Sequence, residues 1–268
     1  MRTIDMKKTA ACTVRLSAAL AAILLTGGVC AEPIPAYVTA AVADPGRPDT
    51  DRQRDANRKP ADVIAFSGMK PGDRIADFMP GRGYFTRLFC VLVGTTGHVY
   101  AITVPRSASS ASTAPPPAIQ APSCDNLTQT TLQPRRRPAP ELWSSSDDPG
   151  GVYEYWSYIA AAETFAAPEP LDVIWTAENY HDLHNKAFGA PSMQLVNRAL
   201  LNALKPGGNL IVEDHAAARG AGTTDTDTLH RIDPEQVKLE LLAAGFEFVG
   251  SSDVLRNDTD AHAVKAHE

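Results

Sequence analysis

The chain has 268 residues, of which 44% are apolar and 21% are charged, so it can fill one full-sized hydrophobic core and is neither fibrous nor wholly disordered. Its formal net charge is −6, with 25 basic against 31 acidic residues. This balance lacks the net positive field that non-specific nucleic-acid binding needs. Nucleic acid is therefore disfavoured as a partner. The expected partner is a small molecule.

The first 31 residues have the pattern of a secretory signal peptide. Basic residues precede the apolar run 16–25, and small residues lead to a cleavage site after Ala31. That run is far shorter than the roughly 20 residues that a membrane-spanning helix needs. A lipid anchor on Cys30 is disfavoured because bulky Val29 precedes it. The sequence therefore predicts an exported protein, periplasmic or secreted, with no stable membrane anchor after cleavage.

The rest of the chain is predicted to form an arm, one domain and a tail. Residues 32–59 are polar and are predicted to wrap the surface as an N-terminal arm, residues 60–250 form the domain, and residues 251–268 form a polar tail. Within the domain, residues 104–150 are rich in Pro, Ser and Ala. This composition predicts an irregular, partly disordered insertion.

Two cysteines remain after cleavage at Ala31. In an oxidising compartment Cys90 and Cys124 could form one disulfide. Cys90 lies in the apolar stretch 88–93, however, and this environment favours a buried thiol.

Strand and helix patterns alternate through the domain. Helices are predicted at 60–67, 84–93, 192–204 and 233–245, and strands at 74–79, 98–103, 171–176, 209–214 and 246–249. Alternation of this kind is typical of a parallel sheet covered on both faces. The predicted fold class is α/β, with a Rossmann-like, doubly wound, mostly parallel sheet and helices on both faces.

A glycine turn joins the first strand of this sheet to the helix that follows. The turn is Pro80-Gly81-Arg82-Gly83, and it lets backbone N–H groups approach a ligand at the helix N-terminus. A dinucleotide-binding fold would carry a third glycine where Thr86 stands and an acid where Thr103 stands. A nicotinamide cofactor is therefore disfavoured.

The segment 73–85, the order of strands and helices, and the turn 204–208 entering a strand resemble the class I S-adenosylmethionine-dependent methyltransferases. More closely, the chain resembles a bacterial group of exported methyltransferases that carry a signal peptide. The segments that support this closer resemblance are 54–60, 179–184, 212–215 and 225–233.

The resemblance implies that S-adenosylmethionine is the cofactor and lies across the carboxyl ends of the strands. Asp77 matches the acid of the first strand, and Met79 departs from the first glycine position of the loop. Thr103 replaces the usual ribose-binding acid. The cofactor-binding residues implied are Asp77, Met79, Pro80, Gly81, Gly83, Thr103, Glu178 and Asn179. Folds of this class normally end in an apolar, antiparallel seventh strand. The polar tail contains no segment that fits this strand, so the sequence predicts that it could be missing.

Histidines and carboxylates fall just after the strands 171–176 and 209–214, on the side where ligands bind in such sheets. Asp214 or Asp182 could orient a histidine that accepts the proton of the substrate. Tyr180 or Asn179 could line the path of the methyl group. The catalytic residues predicted on this hypothesis are His181, His215, Asp214 and Tyr180.

Three other interpretations stay open at this point. His181, His184 and His215 could bind a metal ion and support a metal-dependent enzyme. The histidines could make structural contacts only. A methyltransferase-like fold could also have lost its chemistry and bind another ligand in the periplasm without catalysis.

Overall fold

The computed structural model describes residues 1–9, 33–106, 117–138, 156–189 and 191–266. The strands are β1 (Arg2–Lys8), β2 (Arg74–Phe78), β3 (His98–Thr103), β4 (Leu127–Thr131), β5 (Arg135–Pro138), β6 (Trp156–Ile159), β7 (Leu171–Ala177), β8 (Leu204–Asp214) and β9 (Phe246–Ser252). The α-helices are α1 (Ala36–Val42), α2 (Asp49–Arg52), α3 (Asp55–Arg58), α4 (Pro60–Ser67), α5 (Tyr84–Val93), α6 (Met193–Ala203) and α7 (Pro234–Ala244).

Seven strands form one sheet in the order β4-β3-β2-β7-β8-β1-β9. The first five strands in that order pair in parallel. β1 runs antiparallel to both β8 and β9. The predicted Rossmann-like, mostly parallel sheet is confirmed, and most predicted helices and strands lie within a few residues of their observed bounds. β8 is the exception: it begins at Leu204, five residues before the predicted strand, and so includes the predicted turn 204–208 as an irregularity in its pairing with β7.

Strand alternation sends apolar side chains to both faces of the sheet. On one face Ile75 and Trp175 pack in a core with residues of α1, α4 and α5. On the other face Phe78 and Leu210 pack with residues of α6 and α7. The helices therefore cover both faces, and the carboxyl ends of the parallel strands form one edge that the helices leave accessible.

β1 fills the antiparallel position for which the tail offered no candidate. Met6 lies between Leu210 of β8 and Phe248 of β9, and the side chains of Ile4 and Met6 are buried. The expectation that this strand is absent was therefore wrong for the uncleaved chain. A strand can pair with any neighbour in space, so a segment from the N-terminus can occupy the position that the C-terminal tail leaves open.

β1 also lies within the segment predicted to be a signal peptide. The apolar run and Ala31 fall in residues 10–32, outside the described residues. Cleavage after Ala31 therefore stays a prediction. If it occurs, it removes a strand that pairs on both sides.

The segment predicted as an irregular insertion contributes regular structure. β4 pairs in parallel with β3 and forms one edge of the main sheet, and β5 pairs with β6 in a separate antiparallel sheet. The prediction of an irregular segment was therefore wrong for residues 127–131 and 135–138. Its remaining stretches 107–116 and 139–150 lie outside the described residues.

Cys90 on α5 and Cys124 before β4 form a disulfide, with Cα atoms 5.1 Å apart. The prediction of a buried free thiol was wrong. The sequence offered Cys124 as the partner of Cys90, but only the packing of the segment before β4 against α5 shows that the two cysteines meet.

The N-terminal arm is part of the packed structure. Val38 and Ala41 of α1 are completely buried. Asp51 receives two hydrogen bonds from the Arg87 guanidinium, at 2.6 and 2.9 Å, with both side chains less than 10% exposed. In the part of the chain described, no helix has the length and apolar character to cross a bilayer.

Candidate functional site

The turn from β2 into α5 has a left-handed backbone at several positions. The φ angle is +63° at Met79, +56° at Gly81 and +80° at Gly83. A Cβ atom at Gly83 would overlap the side chain of Ile119, whereas one at Gly81 would meet no heavy atom within 4 Å. Position 83 therefore needs glycine both for its backbone conformation and because a larger side chain would not fit. Position 81 has free space around it, so the backbone there is accessible.

Asp77 lies beneath this turn. Its Oδ2 accepts a 2.6 Å hydrogen bond from Thr86 Oγ1 on α5. Burial raises the pKa of Asp77 to about 7, against the opposing effect of this hydrogen bond. Thr86, which occupies the position of a third glycine, thus ties β2 to α5. The Asp77 carboxyl group is therefore buried and held to α5.

The turn lies at the switch point of the sheet, where the chain continues to β3 on one side of β2 and to β7 on the other. Asn179 follows β7 and donates from Nδ2 to the carbonyl oxygen of Met79 at 2.7 Å. Thr103 ends β3 at the same edge and is half-buried. The turn, Asn179 and Thr103 therefore lie along the carboxyl edge of the sheet, where open α/β sheets have their ligand crevice.

Glu178 links this crevice to the arm. Its φ angle is +58°, and its carboxylate pairs with Arg58 and lies 3.8 Å from a guanidinium nitrogen of Arg54. The Arg58 guanidinium lies 4.9 Å from the ring centre of Tyr84, the first residue of α5. The sequence analysis missed these arginines because alternating Arg and Asp in the arm had the appearance of a solvated surface.

His215 follows β8, beside the end of β7. Its Nε2 lies 3.9 Å from Glu178 Oε1, and its backbone N–H donates to Asp214 Oδ1 at 2.7 Å. The residue is half-buried. His215 and Glu178 therefore lie together at the edge of the sheet, next to the crevice.

Glu213 is a buried acid that the sequence analysis also missed. It is 0% exposed, and neither carboxyl oxygen has a hydrogen-bond partner among the described residues. Burial raises its pKa to about 8, so Glu213 holds a proton at neutral pH. The run Val212-Glu213-Asp214-His215 gave a signal for this site, but the depth of each side chain depends on the sheet around it.

His181 begins a 3₁₀ turn after β7, His181–His184. Asp214 accepts hydrogen bonds from this residue at both carboxylate oxygens: Oδ1 lies 2.8 Å from Nδ1, and Oδ2 accepts from the backbone N–H at 2.8 Å. Burial alone would lower the pKa of His181, but the hydrogen bond and charge of Asp214 outweigh burial and raise it. Asp214 thus fixes the orientation of the ring, as the sequence analysis expected.

Tyr180 lies away from the crevice. It is completely buried, and its hydroxyl group donates to Glu240 Oε2 and accepts from Asn197 Nδ2, both at 2.8 Å. His184 Nε2 lies 3.0 Å from Glu240 Oε1. Both side chains therefore attach the turn to α6 and α7, and the structure does not place Tyr180 where it could line a methyl channel.

The predicted trio of metal-binding histidines is not assembled. His184 is bound to Glu240, and His215 lies beside Glu178. The structure instead brings His181 together with Asp182 and His230, which comes from the loop after β8. The sequence offered Asp182 only as a carboxylate that could orient a histidine, and it did not predict the grouping of Asp182 with His181 and His230.

No protein-family model matches the chain, and no curated protein matches it. Three solved structures are similar. An S-adenosylmethionine-dependent methyltransferase from Aquifex aeolicus has 17% identity and a TM-score of 0.42, covering 74% of this chain and 88% of that one. An arsenic(III) S-adenosylmethionine methyltransferase from Chlamydomonas reinhardtii has 13% identity and a TM-score of 0.45, covering 80% and 62%. Aeropyrum pernix fibrillarin with bound S-adenosylmethionine has 15% identity and a TM-score of 0.38, covering 71% and 66%.

Likenesses with identities and TM-scores this low do not assign the chain to a family. The strand order itself defines a Rossmann-like, doubly wound α/β fold, with one antiparallel strand between β8 and β9.

Proposed function

We propose that the chain is an S-adenosylmethionine-dependent methyltransferase that acts on a small acceptor. The observation that carries this proposal is the open turn at Gly81, which lies at the switch point of a sheet with the strand order of class I methyltransferases. In open α/β sheets this crevice is the usual ligand site. The N-terminus of α5 adds backbone N–H groups and partial positive charge that suit the carboxylate of the cofactor.

The proposed reaction transfers a methyl group from the sulfonium sulfur to a nucleophilic atom of the acceptor. The S–C bond breaks, the new bond to carbon forms, and the acceptor loses its proton to a base. His215 is half-buried beside Glu178 at the edge of the crevice, where β7 and β8 end. We assign His215 as the proton acceptor.

Export remains part of the proposal. Its support is the charge, apolar length and small residues of the N-terminal segment. Because β1 lies in that segment and pairs with β8 and β9, export with cleavage predicts a loss of stability.

The test of cofactor binding is calorimetry with S-adenosylhomocysteine on the parent and the variant Gly81→Val. The new side chain would fill the open space above the turn, so affinity should fall at least ~100-fold. Gly68→Val is the matched control: Gly68 ends α4 at the opposite end of the sheet, has φ +68°, and meets no heavy atom within 4 Å.

Both variants carry the same kind of left-handed strain, so they should lose similar stability while only Gly81→Val loses affinity. A parent that does not bind S-adenosylhomocysteine, or a Gly81→Val variant that binds as the parent does, would overturn the proposed function.

A further inference from the structure

Three side-chain atoms from two loops converge beside the crevice. His181 Nε2 lies 3.3 Å from His230 Nδ1 and 3.4 Å from Asp182 Oδ1, and the last two atoms are 3.7 Å apart. These are two imidazole nitrogens and one carboxylate oxygen, which are the ligand types that Zn²⁺ and related divalent transition metals use in proteins. The three atoms form a nearly equilateral triangle.

The size of the triangle matches a metal ion. The circle through its corners has a radius of about 2.0 Å, and Zn–N and Zn–O distances are about 2.0–2.2 Å. A tetrahedral ion at those distances would hold its ligands about 3.3–3.5 Å apart. One ion can therefore reach all three atoms with shifts of a few tenths of an ångström.

Outer hydrogen bonds orient the ligands. His181 presents Nε2 to the cluster because its Nδ1 faces Asp214 at 2.8 Å, which is the carboxylate–histidine arrangement common behind metal ligands. The Asp182 carboxylate accepts a 3.1 Å hydrogen bond from Asn185 Nδ2 at the same oxygen, Oδ1, that faces the histidines. The positions of both residues of the 3₁₀ turn are thus set by neighbours outside the triangle.

The loop that carries His230 is anchored directly after this residue. Ile232 donates its backbone N–H to His215 O at 3.0 Å. Arg231 makes two hydrogen bonds to the carboxylate of Asp260, at 2.8 and 3.0 Å. These contacts fix the backbone next to His230, whose side chain is 30% exposed, so the cluster has an opening to solvent on that side.

A direct hydrogen bond between the two histidines is the competing explanation. The distance of 3.3 Å is long for such a bond, and it would not explain why the Asp182 carboxylate faces both nitrogens. A cation between the three atoms accounts for all three distances. We propose that His181, Asp182 and His230 bind one divalent transition metal ion, with Zn²⁺ as the best match, and leave a fourth position open.

The open position suggests a use. A bound ion of this kind lowers the pKa of a coordinated hydroxyl group, so an acceptor with a hydroxyl oxygen could bind there as the oxyanion. This use rests on the proposed function, whereas binding of the metal does not. The two are therefore tested separately.

The experiment measures Zn²⁺ affinity without cofactor or acceptor. Full-length protein without an affinity tag is stripped with a chelator, checked by circular dichroism and thermal unfolding, and titrated with Zn²⁺ against a chromophoric chelator. We expect one equivalent to bind. Asp182→Asn and His230→Ala should each lower the affinity at least ~100-fold, and Asp214→Asn, behind the ligand, by about 10–100-fold.

His98→Ala removes a surface histidine at the start of β3 and should bind Zn²⁺ as the parent does. His215→Ala should also bind normally, which separates this cluster from the trio that sequence alone suggested. The Co²⁺-loaded protein gives a second readout, because a tetrahedral site has a strong visible absorption that Asp182→Asn should lose.

The inference is overturned if the stripped parent does not bind Zn²⁺, or if folded Asp182→Asn and His230→Ala bind it as tightly as the parent. Binding of S-adenosylhomocysteine by the same samples tests the cofactor site independently. If the protein binds S-adenosylhomocysteine but not Zn²⁺, the metal site has failed. If it binds Zn²⁺ but not S-adenosylhomocysteine, the proposed function has failed.

Discussion

Met6→Ala tests whether β1 is a working strand of the sheet. Met6 is 0% exposed and lies in register with Leu210 on one side and Phe248 on the other. The substitution removes buried side-chain atoms between two fixed strands, where the surroundings can collapse only in part. Its effect therefore measures how firmly the N-terminal strand is built into the core.

The expected loss in the free energy of unfolding is about 3 kcal/mol, within the usual range for truncating a buried methionine to alanine. For a chain of this size that corresponds to a fall in the unfolding midpoint of roughly 6–12 °C. Lys7→Ala is the matched control, because Lys7 is the next residue of β1 and its side chain is exposed. It should change stability by no more than about 0.5 kcal/mol.

The assay is thermal unfolding of uncleaved protein, followed by calorimetry and by circular dichroism. Equal midpoints for Met6→Ala and Lys7→Ala would refute the placement of β1 in the core. A chain that starts at residue 32 extends the test to the processed protein. Without β1, the facing edges of β8 and β9 lose their ladders, so this chain should unfold at a lower temperature. An unchanged midpoint would show that the sheet does not need β1.

Three further outcomes follow from buried groups. Replacing both Cys90 and Cys124 by alanine should lower the free energy of unfolding by about 3–4 kcal/mol, because the disulfide closes a loop of 34 residues. A reductant should bring the urea midpoint of the parent to that of the double variant. Because the folded pKa of Glu213 is raised to about 8, the parent should lose stability as pH rises from about 4.5 to 8. Glu213→Gln should abolish that part of the loss, and parallel pH profiles of the unfolding midpoint would contradict it. Asp51→Asn should lower the free energy of unfolding by about 3–5 kcal/mol, because it leaves the buried Arg87 without its charged partner. Asp49→Asn, at an exposed position, should leave stability unchanged. Equal urea midpoints for the two variants would show that the arm contributes little to stability.

Much of the domain could be predicted from local patterns. The apolar run 171–176 and the turn before residue 209 predicted β7 and most of β8, because a buried strand needs a continuous apolar segment and glycines end it. Pro60 and Gly68 bounded α4 in the same way. The glycine turn after β2 could also be predicted from local sequence, because the left-handed backbone at these two positions favours glycine, here Gly81 and Gly83.

Contacts between distant segments decided the rest. Nothing within residues 2–8 shows that they pair with β8 and β9, because the ladder joins segments about 200 residues apart. Formation of the disulfide between Cys90 and Cys124 and the burial of Glu213 depend in the same way on packing. The sequence predicted that histidines after β7 and β8 share one edge of the sheet. Only the tertiary structure brings their nitrogens to 3.3 Å, because each loop is held by contacts that span the sheet.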